Sequence, residues 1–160
     1  MQQGSDPRII DFESSVPWSK HRPETLVVHC SDHRYQLQFD EMLEKHLGYT
    51  EFDRLVLPGG PHFLMAASAL PKFEWAGRRW LKYLIKNHQI RQLVLIAHDD
   101  CGWYKDISVG PFTISLLRER QMTDLRKMPL AIAESLPDVA VHLYFARPNE
   151  AGKVEFIEVK

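Results

Sequence analysis

Two short stretches of this chain concentrate side chains that can bind a metal or move a proton. One is Cys30-Ser31-Asp32-His33-Arg34, the other is His98-Asp99-Asp100-Cys101-Gly102, and together they hold both cysteines of the 160 residues. Two thiolates and one imidazole, from Cys30, Cys101 and His98, are a common ligand set for Zn²⁺, and this soft set disfavours Mg²⁺ and Ca²⁺. Three protein ligands leave a fourth position open, which is typical of catalytic zinc.

Other interpretations of the two cysteines stay open from composition alone. A buried cysteine is usually a small hydrophobic residue. A redox pair is an alternative, but the two thiols lack the Cys-x-x-Cys spacing of thioredoxin-like sites. Two cysteines are too few for a disulfide scaffold. Their placement in the fold therefore decides between these interpretations.

Each motif follows a segment with the character of a buried strand. Residues 25–30 and 92–97 are short, apolar and rich in β-branched side chains, as buried strands are. The remaining elements follow from the same two periodicities. We predict further strands at 52–57, 139–145 and 154–159, and helices at 35–47 (stopped by Gly48), 73–88 and 112–136, the last broken near Pro129.

Alternating strands and helices predict a single doubly wound α/β domain, with a mostly parallel sheet and helices on both faces. The last strand follows a tight turn at 149–152, so it should pair antiparallel at an edge. Ligands of such sheets bind beyond the carboxyl ends of strands, near the point where strand order reverses. If the first and third strands are neighbours, Cys30, His98 and Cys101 converge there.

Composition narrows the functional classes. The chain is 44% hydrophobic and 26% charged, with a net charge of −1, which argues against a nucleic-acid partner at the level of the whole chain. No apolar run approaches the roughly 18 residues of a membrane span, and the polar start lacks the apolar centre of a signal peptide. We therefore expect a cytoplasmic protein without a membrane partner.

The first 23 residues differ in character from the rest. They are irregular and proline-rich, and they carry apolar side chains such as Ile9, Phe12 and Trp18. We predict an N-terminal arm, 1–23, that docks either on the domain body or on a second subunit. The zinc domain is predicted to span 24–160.

Taken together, the two motifs resemble those of the β-class carbonic anhydrases, which carry Cys-x-Asp-x-Arg after the first strand and His-x-x-Cys-Gly after the third. The resemblance implies one zinc per chain on Cys30, His98 and Cys101, an Asp32–Arg34 pair, and reversible hydration of CO₂ to bicarbonate. It also implies the sheet order 2-1-3-4-5 with the fifth strand antiparallel, and a homodimer or higher homo-oligomer.

The chemistry of that assignment is coherent. Zinc lowers the pKa of bound water and supplies hydroxide for attack on CO₂. Asp32 would accept the proton or hydrogen bond, and Arg34 would orient Asp32 and keep it ionised. If Arg34 did not hold Asp32 in place, Asp32 could bind the zinc in an inactive state, as the family suggests. The alternative is that Asp32 and Arg34 form only a solvated surface ion pair.

The segment after the second strand departs from the family. An Arg-Asn-Ala-Gly type segment is usual there, whereas this chain has Val56-Leu57-Pro58-Gly59-Gly60. Gly59 and Gly60 are expected either to line the pocket through backbone groups or simply to form a turn, and Gly102 to allow a close turn around the metal. The altered pocket motivates two alternatives: a non-catalytic, zinc-stabilised interaction module of the same fold, or a hydrolase of another small linear substrate such as CS₂ or COS.

Several polar residues near the motifs have two interpretations each. His33 and His62 are either proton relays or solvated loop residues. Asp99 and Asp100 are expected to cap the segment that follows them.

Overall fold

A five-stranded sheet in the order β2-β1-β3-β4-β5 forms the centre of the computed structural model, which describes residues 12–65, 70–107 and 113–160. The strands are β1 Thr25–Cys30, β2 Asp53–Leu57, β3 Gln92–His98, β4 Ala140–Pro148 and β5 Val154–Glu158. The α-helices are α1 Gln36–Glu41, α2 Pro71–His88, α3 Gly102–Asp106 and α4 Ile114–Ala133. β5 pairs antiparallel with β4 and the other pairings are parallel, so the predicted strand order and direction are confirmed.

Helices cover both faces of this sheet because its central strands are apolar on both sides. Along β3, Leu93 and Leu95 face one helix layer while Val94 and Ile96 face the other, as the two-residue period of a strand requires. α2, α4 and the 3₁₀ segment that precedes α2, Gly60–Met65, pack on the first face. α1 and the π-helical turn that continues it, Met42–His46, pack on the second. The doubly wound architecture is thus confirmed.

The strand order reverses between β1 and β3. From β1 the chain goes to β2 on one side, and it returns to β3 on the other side of β1. The loops that leave the carboxyl ends of β1 and β3 therefore start side by side. This is the switch point at which ligands of such sheets bind.

The predicted break near Pro129 is wrong, because α4 continues through this proline to Ala133. Proline in a helix interior removes one hydrogen bond and costs about 3 kcal/mol. Leu125, Met128 and Ile132 are buried against the sheet on the same side of the helix. Their burial is worth about 1.5–3 kcal/mol each, which outweighs the local cost.

Residues 1–11 of the predicted arm lie outside the described residues. In the described part, Phe12, Val16 and Trp18 are at least 75% exposed, so these side chains do not dock on the body of their own chain. Docking on a second subunit stays a prediction. Within the described residues, no helix combines the length and hydrophobicity that crossing a bilayer requires.

Candidate metal centre

Cys30, His98 and Cys101 meet at the switch point. Cys30 is the last residue of β1, His98 is the last residue of β3, and Cys101 precedes α3. One ligand atom from each residue lies within 4.8 Å of the others, and the two sulfur atoms are 4.0 Å apart. All three residues are at most 5% exposed. The structure thus brings together the three side chains that the sequence suggested as ligands.

The His98 ring is oriented by the backbone. Its Nδ1 lies 2.8 Å from the carbonyl oxygen of Asp99, and a carbonyl only accepts, so Nδ1 carries the ring proton. Nε2 then has a free lone pair, and it is buried without a hydrogen-bond partner among the described residues. A buried, unpaired imidazole nitrogen beside two thiols suits a metal ligand, because metal-bound histidines commonly donate their other ring N–H to such a carbonyl.

The pKa values of the two thiols are shifted in opposite directions. The hydrogen bond with Cys101 lowers the pKa of Cys30, against the opposing effect of burial, and His98 lowers it further. The pKa of Cys101 is raised, first by its hydrogen bond to Cys30 and then by burial. Cys30 is therefore the more acidic thiol of the pair. Two thiols and a free imidazole nitrogen fit the donor set that Zn²⁺ prefers, since both thiols bind the metal as thiolates.

Asp32 lies two residues beyond Cys30 and accepts several hydrogen bonds from Arg34. The Arg34 Nε and Nη2 groups donate to the Asp32 carboxylate at 3.1 and 2.7 Å, and the Arg34 backbone N–H donates to it at 3.0 Å. These hydrogen bonds from the Arg34 side chain lower the pKa of Asp32 to about 2. The Asp32 side chain is only 17% exposed whereas the Arg34 side chain is 55% exposed, so the carboxylate is enclosed while the guanidinium reaches solvent.

The loop between His98 and Cys101 carries contacts that the sequence did not reveal. Asp99 is buried and pairs with Arg118 of α4. Asp100 pairs with Arg34 at 2.9 Å and also with Lys105 of α3. Neither carboxylate caps α3, contrary to expectation, because the residue at the cap position is Cys101, and its side chain makes no capping hydrogen bond. No signal in the sequence identified these pairs, which join residues up to 66 positions apart.

The three candidate glycines differ in what surrounds them. Gly60 has φ +55°, and a Cβ there would lie 2.8 Å from the backbone nitrogen of Cys30. Gly59 has φ +76°, and a Cβ there would lie 2.2 Å from the Trp103 ring. Gly102 begins α3 with open space where a Cβ would be, so nothing around it requires glycine.

The two candidate relay histidines also differ in burial. His33 is exposed, whereas His62 is only 3% exposed, so His62 is not a solvated loop residue. The Trp103 ring N–H donates to His62 Nδ1 at 3.2 Å, and His62 Nε2 lies 4.0 Å from Asp124 of α4. Burial lowers the pKa of His62 to about 4.

The structure resembles solved carbonic anhydrases along most of its length. It matches the carbonic anhydrase from Streptococcus mutans with a TM-score of 0.54 and 17% identity, covering 88% of this chain and 84% of that one. It matches a β-carbonic anhydrase of Aspergillus fumigatus with a TM-score of 0.55 and 12% identity, covering 88% and 77%. The chain has the β-carbonic anhydrase fold.

The further matches are also at low sequence identity. The structure also matches one of two tetrameric β-carbonic anhydrases of Sordaria macrospora, with a TM-score of 0.51 and 14% identity, covering 86% of this chain and 81% of that one. A protein of Rickettsia bellii that is described as uncharacterized is 26% identical over 148 residues, which cover 88% of this chain and 87% of that protein. No protein-family model matches the chain.

Proposed function

We propose that this protein is a zinc-dependent carbonic anhydrase that catalyses the reversible hydration of CO₂ to bicarbonate. The observation that carries the proposal is the convergence of Cys30, His98 and Cys101 beside an Asp32 carboxylate fixed by Arg34. Three ligands would hold one zinc per chain and leave a fourth position. The β-carbonic anhydrase fold supports this assignment at the level of architecture.

Each residue of the centre has a definite task in this proposal. Zinc, when bound, lowers the pKa of water so that hydroxide forms near neutral pH. The backbone carbonyl of Asp99 holds the proton of His98 on Nδ1 and so turns Nε2 toward metal binding. Asp32 is ionised near neutral pH and can only accept hydrogen bonds, so it orients an O–H group placed before it. Arg34 fixes the direction of that acceptor.

Stopped-flow CO₂ hydration on metal-quantified protein, from about pH 6.5 to about 9, tests this function. We expect hydration above the buffer rate, with zinc and activity both lost in Cys30→Ser and His98→Ala. His46→Gln is the matched histidine control, because His46 is exposed and lies outside the metal centre. A preparation with full zinc occupancy and no hydration above buffer would contradict the catalytic assignment.

A non-catalytic, zinc-stabilised interaction module is the second candidate. One observation favours it: within the single chain, none of the three ligand residues is more than 5% exposed, as in closed structural sites. Azide binding to the cobalt-substituted protein separates the two candidates. A change in the visible spectrum on azide addition indicates an exchangeable fourth ligand and supports the enzyme, whereas an unchanged spectrum supports the module.

A homo-oligomer and a cytoplasmic location belong to the same proposal. The Sordaria macrospora proteins of this fold are described as tetrameric, and the exposed apolar side chains of Phe12 and Trp18 offer contact area. A reducing compartment would keep both thiols available as metal ligands.

A further inference from the structure

Arg34 joins two carboxylates that come from different loops. Its Nε and Nη2 groups donate to Asp32, in the loop after β1. Its Nη1 group donates to the carboxylate of Asp100 at 2.9 Å, and Nη2 also donates to the backbone carbonyl oxygen of Asp100 at 3.1 Å. Asp100 belongs to the loop after β3, between His98 and Cys101. One guanidinium therefore ties together the two loops that supply the candidate ligands.

Asp100 has an unusual backbone conformation. Its φ of +56° lies in the left-handed region, and only one other non-glycine residue of the described ranges, Gln89, shares this feature. Aspartate and asparagine tolerate this region better than most residues. The turn directs the carbonyl oxygen and the carboxylate of Asp100 to the same arginine. Lys105 holds the carboxylate from α3.

Arg34 needs such a second anchor. Its side chain is 55% exposed, and a long exposed side chain has about 2 kcal/mol of rotamer entropy to lose. Asp32 and Arg34 are two residues apart, so on their own they could move together with the loop after β1. The contact with Asp100 fixes their position relative to the loop that carries His98 and Cys101.

We propose that Asp100 is a positioning residue: it fixes the guanidinium of Arg34, and through it the Asp32 carboxylate, relative to the metal centre. This assignment rests on the proposed function for its effect on catalysis. It is independent of that function for its effect on the order of the Arg34 side chain. These two effects give two separate measurements.

The first measurement is the heteronuclear NOE of the Arg34 Nε–Hε group by NMR on zinc-quantified protein. Asp100→Asn keeps the size and the tolerance for positive φ but removes the charge, and Asp100→Gly keeps the backbone freedom and removes the side chain. We expect the NOE of Arg34 to fall in Asp100→Asn and further in Asp100→Gly. Asp106→Asn, an exposed aspartate at the end of α3, is the matched control and should leave it unchanged. An unchanged NOE in Asp100→Gly overturns the proposal.

The second measurement is CO₂ hydration. We expect Asp100→Asn to lower kcat about tenfold, in the range of residues that orient metal-site groups, with KM and zinc content close to wild type. The same change in an Asp32→Asn background should have little further effect, because Asp100 acts through Asp32. Additive losses in the double variant, or a lower NOE with full kcat, overturn the positioning role. Absence of activity in the wild type refutes the proposed function instead, and the NMR result still stands.

Discussion

At the scale of single residues, hydrogen bonds hold the side chains of the candidate metal centre in place. The Asp99 carbonyl accepts from His98 Nδ1, and Arg34 donates to Asp32. The first contact fixes the ring tautomer of His98, and the second favours the ionised carboxylate of Asp32. Asp32 is not one of the three candidate metal ligands, so its carboxylate can be removed by mutation without removing a ligand.

Asp32→Asn should lower kcat for CO₂ hydration by about 10²-fold, the lower end for groups that handle protons, while zinc content stays unchanged. Its new NH₂ group would face the Arg34 donors and spoil the acceptor geometry. Asp40→Asn is the matched control, because Asp40 forms an ion pair of the same type with Arg54 away from the centre. Equal rates in Asp32→Asn and wild type would exclude a role for this carboxylate. Because the pKa of Asp32 is about 2, its own titration does not contribute to the pH–rate profile near neutrality.

His62 makes a separate prediction about stability against pH. Burial lowers its pKa to about 4 from an ordinary 6.5, with a smaller effect from Arg120. The folded state therefore prefers neutral His62, and stability is lost as pH falls from about 6.5 toward 4. We expect wild type to lose about 2 kcal/mol of unfolding free energy between pH 7 and pH 5 from this residue.

Urea denaturation of His62→Gln at these two pH values measures that loss. The variant should lack most of the pH dependence, while His46→Gln, an exposed histidine, should keep it. The groups that face His62 are Trp103, Tyr104, Asp124 and Arg120. A wild-type slope in His62→Gln would show that another buried group, such as His29, causes the acid sensitivity.

At the scale of elements, the turn between β2 and the following 3₁₀ segment sets the position of Cys30. Gly60 lies against the backbone of β1, so that a Cβ would meet Cys30 N at 2.8 Å and Ile96 O at 3.2 Å. Backbone atoms of a buried sheet cannot move aside as a flexible side chain can. A larger residue at position 60 must therefore displace the end of β1.

Gly60→Ala should destabilise the protein by about 3 kcal/mol or more, since it combines positive φ with a backbone clash. Gly152→Ala is the matched control: it has φ +73° but nothing within 4 Å of its Cβ, so it should cost only about 1–2 kcal/mol. Urea denaturation gives both values, and zinc competition should show weaker binding only in Gly60→Ala. Equal costs for the two variants would mean that the end of β1 yields easily.

The elements themselves were largely predictable, because each leaves a periodic signal in its own segment. The five strands and their helices follow from local patterns, and Cys30, His98 and Cys101 could be placed because strand ends of a parallel sheet meet at one edge. The continuity of α4 through Pro129 was not predictable, since it depends on burial against the sheet.

At the scale of the whole molecule, two of the contacts missed from sequence join distant segments. Asp100 with Arg34 and His62 with Asp124 join side chains from segments 62 to 66 residues apart, and neither pair has a fixed spacing that a motif could record. Arg34 and Asp100 meet only when β1 and β3 pair, and His62 and Asp124 meet only when α4 packs beside the 3₁₀ segment. The same reasoning applies to contacts between chains, which the predicted arm would make.

The exposed side chains of Phe12 and Trp18 therefore give the last prediction, on assembly. Each is more than 80% exposed in the single chain, and an apolar residue of this size gains most from burial in a partner. If the arm docks on a second subunit, Phe12→Ser with Trp18→Ser should raise the subunit dissociation constant at least tenfold, as loss of one or two anchor residues does. Sedimentation equilibrium measures the dissociation constant, with Leu130→Ser as control, because Leu130 is an apolar residue of α4 that is 73% exposed. Because both arm residues are already exposed, the unfolding free energy of the isolated subunit should not change. An unaltered assembly state in the double variant, or a monomeric wild type at every concentration, would contradict docking of the arm on a partner.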